Sequence, residues 1–144
     1  MGQKVSDSTR IAADPDTILA VITDHAAYPE WAEGMQHAEV LDTDAEGRPT
    51  RTRFQVDAKV VEATYTLAYA YADDRVTWHL VEGDMVNQLD GAYILAPSGS
   101  ETDVTYELEV DVDIPLPGFM KKRAAKQILD TGLRGLKQRA ESRT

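Results

Sequence analysis

Residues 104–129 read VTYELEVDVDIPLPGFMKKRAAKQIL, and the change of period inside this stretch decides the fold. Val104, Tyr106, Leu108, Val110, Val112 and Ile114 share one parity, while Thr105, Glu107, Glu109, Asp111 and Asp113 share the other. That is the two-residue repeat of a strand with one dry face and one wet face. Pro115 and Pro117 end it, because neither can donate to a ladder. From Phe119 onward the apolar positions Ala125, Ile128, Leu129, Leu133 and Leu136 recur at helical spacing. Lys122, Arg123, Lys126, Arg134 and Lys137 fall largely on other faces. A strand with one apolar face, followed at once by a long helix with one apolar stripe, predicts that the helix covers the sheet.

Working back from this stretch, the chain between Met35 and Ile114 is strand after strand. Turn signals fall at Asp44–Pro49, Ala72–Asp74, Glu82–Asp84 and Ala96–Ser100. Connections this short imply hairpins and hence an antiparallel meander. The same parity test groups Ala63, Tyr65, Leu67, Tyr69 and Tyr71, then Val76, Trp78 and Leu80, then Leu89, Gly91, Tyr93 and Leu95. Near the start, Val5–Ile11 alternates as a strand. Asp14 then caps a helix that has Pro15 in its first position and runs to about Thr23. The stretch from His25 to Trp31 breaks that helix and starts a short second one. The string is β-α-α, six or seven strands in all, and a closing helix: an α+β single domain over residues 1–144.

Composition narrows the function classes. The 144 residues carry a formal charge of −10, which argues against nucleic acid. There is no cysteine, which excludes a disulfide scaffold, a thiolate zinc site and a cysteine nucleophile. No apolar run approaches the roughly 20 residues of a membrane-spanning helix. The N-terminal MGQKVSDSTR has no apolar core of a secretory signal, so a cytoplasmic location is expected. Charge is unevenly spread. Residues 121–144 hold eight Lys/Arg against two acids, net +6, and the first 120 residues are net −16. This predicts a basic helix face held to the protein's own acidic body, or a weak contact of residues 121–139 with an acidic partner or a membrane surface.

The inward parity carries Tyr65, Tyr69, Trp78, Tyr93 and Tyr106, and a buried tyrosine brings a hydroxyl that needs a partner. Gly132 and Gly135 fall in mid-helix, where each costs roughly 1 kcal/mol against alanine. Close approach to another group offsets that cost. A twisted sheet of this size curls, and a straight helix need not fill the hollow. Tyr65, Tyr69, Trp78, Tyr93 and Tyr106 from the sheet, with Ile128, Gly132 and Leu136 from the helix, are therefore expected to line a space for a hydrophobic small molecule. Catalytic signals are weak. His79 has outward parity, His25 lies in the inter-helix corner, His37 starts a strand, and Glu82 shares the parity of Trp78 but stands at a strand end. The three histidines lack metal-binding spacing, and no GxSxG, GxGxxG or GxxxxGK[ST] motif occurs, so no metal and no cofactor is expected.

The residues Ile11-Ala-Ala-Asp14-Pro15, Val21, Asp24 and Tyr28-Pro29-Glu30-Trp31, the run of hairpins, and Pro115-Leu-Pro-Gly-Phe119 before a basic helix resemble the START-related, Bet v allergen-like superfamily of polyketide cyclase/dehydrase and lipid-transport proteins. The resemblance spans essentially the whole chain. It implies the helix-grip fold: a curved seven-stranded antiparallel sheet wrapped around the C-terminal helix, two short helices after the first strand, and a cavity between sheet and helix. Carried over by position, Trp31 helps close that hollow. The superfamily contains carriers of lipid, polyketide-like or isoprenoid compounds, polyketide aromatase/cyclases and dehydratases, and proteins that act on other proteins, so these are the three functions expected in that order.

Overall fold

The structure, a computed structural model, describes residues 2–32, 34–57 and 62–143. In chain order the elements are β1 (Gln3–Ile11), α1 (Pro15–Thr23), a single 3-10 turn (His25–Ala27), α2 (Tyr28–Trp31), β2 (Met35–Thr43), β3 (Pro49–Asp57), β4 (Glu62–Tyr71), β5 (Arg75–Asp84), β6 (Val86–Ser98), β7 (Glu101–Val112) and α3 (Gly118–Glu141). The seven strands form one antiparallel sheet in the order β1-β7-β6-β5-β4-β3-β2. Only β1 is displaced from its sequence neighbours; it pairs with β7 from Gln3 opposite Val110 to Ile11 opposite Thr102.

The predicted helix start holds in detail. The Asp14 side chain accepts from the Thr17 N–H at 2.8 Å, and Pro15 occupies the first turn. The alternation of β7 also holds: Thr102, Val104, Tyr106, Leu108 and Val110 are all buried. α3 lies along β1 and β7, with Leu129, Leu136 and Ala140 wholly buried against the sheet. Its far end is tied down where Glu141 accepts from the Ala12 N–H at 2.9 Å.

Several details differ from the sequence reading: β6 runs on through Ala96–Ser98 and β7 stops at Val112. The expected turn at Glu82–Asp84 is strand; the reversal is made by Met85, which has φ +68°. A bulge shifts the register so that Leu80 opposes Leu67 but Glu82 opposes Thr66. This one-residue slip moves Glu82 off the parity of Trp78 and onto the outer face. Finally, Ile128 does not share the buried stripe and is 40% exposed. The stripe is centred on Ala125, Leu129, Leu136 and Ala140. Ile128 therefore lies about a quarter-turn to its flank.

Candidate functional site

The inner face of the sheet is an aromatic wall, and the register sets its order. Phe54 on β3 opposes Tyr65 on β4, Tyr69 opposes Trp78 on β5, and Tyr93 on β6 opposes Tyr106 on β7. Trp78 opposes Gly91, and the indole lies over that glycine: a Cβ there would stand 2.3 Å from the Trp78 ring. Ring centroids are 4.7 Å apart for Tyr93–Tyr106, 5.2 Å for Trp78–Tyr93, 5.8 Å for Trp78–Tyr106 and 6.0 Å for Tyr69–Trp78. Beyond Trp78 and Gly91 the β5–β6 ladder stops, and the two strands pair only with their outer neighbours, β4 and β7.

The helix side matches the glycines. A Cβ on Gly132 would meet the Tyr106 ring at 3.1 Å, and one on Gly135 would meet the Trp31 carbonyl oxygen at 3.0 Å. Both glycines therefore permit close approach, one to the aromatic wall and one to the backbone of α2. Trp31 is half-buried and stands edge-on to Tyr28 at 5.0 Å. Leu136 is wholly buried in the core. The structure brings Tyr69, Trp78, Tyr93, Tyr106 and Gly132 into one connected group. Tyr65 joins it through Phe54, with centroids 5.8 Å apart, and then His25, 5.6 Å from Phe54 and 4.4 Å from Tyr69, while the exposed Ile128 stands outside it.

Under Gly132 the interior is occupied by the tilted rings of Tyr106, Tyr93 and Trp78, and two clefts among the described residues lie elsewhere. One, of about 160 Å³, is bounded by Val21, Asp24, Trp31, Arg139 and Arg143; the other, of about 330 Å³, lies over Arg53, Thr66 and Glu82. Tyr28 donates to the Ile22 carbonyl and Tyr71 to the Pro49 carbonyl. The hydroxyls of Tyr65, Tyr69, Tyr93 and Tyr106 have no hydrogen-bond partner among the described residues. Among the described residues, His25 Nε2 is a buried side-chain polar atom with no hydrogen-bond partner. Burial raises the pKa of all four tyrosines well above the ordinary phenol value, so they stay neutral donors.

The residue that sequence reasoning undervalued is His25. It is 1% exposed, its Nδ1 lies 2.7 Å from Thr52 Oγ1, and its ring is 4.4 Å from that of Tyr69 and 5.0 Å from that of Tyr28. Burial pushes its pKa down to about 4, so it is neutral at physiological pH. No periodic signal marks a lone histidine in a corner, and its burial emerges only once β3 and β4 cross behind it. The wall is thus apolar with neutral hydroxyl donors. Among the described residues no group of three His, Cys, Asp or Glu is placed to hold a metal ion.

The family described as polyketide cyclase / dehydrase and lipid transport matches residues 2–141 of the chain. Among solved structures, a START superfamily protein from Mycobacterium smegmatis is 28% identical, with a TM-score of 0.91 over 99% of this chain and 100% of that one. The Zhui aromatase/cyclase from Streptomyces sp. R1128 is 14% identical, with a TM-score of 0.81 over 99% of this chain and 96% of that one. A STAR-related lipid transfer protein from Xanthomonas axonopodis is 17% identical, with a TM-score of 0.73 over 95% and 85% respectively. A search of curated protein sequences gave no match.

Proposed function

The chain belongs to the polyketide cyclase / dehydrase and lipid transport family, and from that premise we propose that it binds a hydrophobic small molecule of lipid, isoprenoid or polyketide-like type between the sheet and α3. Tyr65, Tyr69, Trp78, Tyr93 and Tyr106 form the sheet wall of the site, Gly132 and Leu136 its helix wall and Trp31 its side, while the exposed Ile128 falls outside it. The observation that carries this reading is the set of four tyrosine hydroxyls on the inner wall that have no hydrogen-bond partner among the described residues. A hydroxyl on an apolar wall with nothing to bond is a place for an oxygen-bearing guest. Burying about 200 Å² of apolar guest supplies roughly 5 kcal/mol before association costs. Micromolar affinity then needs one or two of those hydroxyls at about 1 kcal/mol each.

Native mass spectrometry and calorimetric titration with a hydroxyanthraquinone, farnesol and oleate test this. At least one is expected to bind with one-to-one stoichiometry. For the hydroxyanthraquinone, Tyr69→Phe and Tyr106→Phe should each weaken binding about fivefold, the equivalent of one lost hydrogen bond. No binding by any of the three overturns the reading.

Aromatase/cyclase or dehydratase action is the second reading, and the same hydroxyls favour it, because neutral donors can polarise the carbonyls of an oriented chain. It requires that Tyr→Phe changes slow turnover while binding survives. A third reading, docking of an acidic partner on the basic helix, finds less support. Lys126 is paired with Asp7 at 3.0 Å, Lys137 with Glu141 at 3.2 Å and Arg139 with Glu30 at 2.9 Å.

A further inference from the structure

Several of the large apolar side chains exposed to solvent gather at one end of the molecule. Phe119 is 67% exposed and Met120 41% on the first turn of α3, and Met85 at the β5–β6 reversal is 37% exposed. Hydrogen bonds join these positions into one rim. The Asp113 N–H, in the segment leading to α3, donates to the Met85 carbonyl at 2.9 Å, and Lys121 Nζ donates to the Val112 carbonyl at 3.2 Å. Met85 holds the left-handed backbone, φ +68°, that Gly or Asn would adopt at lower cost. Neither conformation nor contact with water favours methionine there.

Charge distinguishes this end of α3 from the rest of the helix. Lys126, Lys137 and Arg139 are each neutralised by the protein's own acids. Lys122 and Arg123, immediately behind Phe119 and Met120, form no ion pair among the described residues. Asp84 and Asp113 flank Met85, so the positive potential is local to the helix and sensitive to salt. An apolar tip backed by free cations matches the layering of a bilayer surface, where apolar side chains reach the acyl boundary and Lys/Arg meet anionic headgroups.

We propose that this rim, Met85, Phe119 and Met120 with Lys122 and Arg123, docks reversibly on a membrane surface that contains anionic lipid. The proposal stands on the rim and does not depend on what the tyrosine wall binds. Flotation with phosphatidylcholine vesicles, and with vesicles in which about one-third of the lipid is phosphatidylglycerol, tests it. Recovery is expected with the anionic vesicles, at least about tenfold above the neutral ones and falling as salt rises. Phe119→Asp with Met120→Asp, and separately Lys122→Glu with Arg123→Glu, should each lower it by about tenfold or more, with far-UV circular dichroism unchanged because all four side chains are exposed. Equal recovery on both vesicles, no recovery on either, or recovery untouched by both variant pairs overturns it. So does self-association without vesicles that Phe119→Asp abolishes, since a second copy would then be what covers the rim.

Discussion

His25 shows how much one buried side chain can set. Its folded-state pKa lies near 4 against an ordinary 6.5, because burial penalises the charged imidazolium. The fold therefore prefers the neutral ring. The stability this contributes is complete above about pH 6.5 and is lost as pH falls toward 4, to the order of 3 kcal/mol. Urea melts of the parent and of His25→Gln between pH 7 and 4 check this. The parent should lose stability more steeply with acid than the variant, and parallel curves would show that His25 does not titrate against the fold. At this scale the sequence was partly legible. The Asp14 cap and the inward tyrosines follow from local rules, whereas the contact of His25 with Thr52 joins residues 27 positions apart.

Among the elements, β5 departs furthest from its pattern. Simple alternation would carry Glu82 inward, but the bulge between Leu80 and Glu82 turns it out and places Gly83 opposite Tyr65. The β5–β6 ladder that ends at Trp78 depends on Gly91, whose missing side chain makes the space for the indole. Gly91→Ala should displace Trp78 and destabilise by about 1–3 kcal/mol, the usual range for overpacking. Its test is chemical denaturation read with tryptophan fluorescence. Paired with Trp78→Phe, the loss should be clearly less than additive, since the two changes share one contact. Additive losses would mean that the indole does not rest on Gly91. In α3 the helical period located the apolar stripe correctly but counted Ile128 into it. The direction a stripe faces is set by its partner surface, and a quarter-turn separates burial from exposure.

For the molecule as a whole, α3 acts as a strap. It runs from the rim at Phe119 back to the corner after β1, bound by Lys126 to Asp7, by Lys137 to the Arg10 carbonyl and by Glu141 to the Ala12 N–H. Because Leu129, Leu133 and Leu136 complete the sheet's own core, sheet and helix should unfold together. Urea transitions followed by far-UV circular dichroism and by the fluorescence of Trp31 and Trp78 are expected to coincide. Separated transitions would show that α3 is not part of one cooperative core.

By itself the sequence determined the order of elements, the antiparallel sheet, the covering helix and the aromatic parity of the inner face. All of these rest on periods and turn chemistry that act within a few residues. Only the tertiary structure decided that the rings pack tilted and edge to face under Gly132, that His25 is buried, and that, among the described residues, four hydroxyls have no partner and Lys122 and Arg123 form no ion pair. Each of those depends on which distant side chains arrive at the same place, and no local pattern encodes that distance.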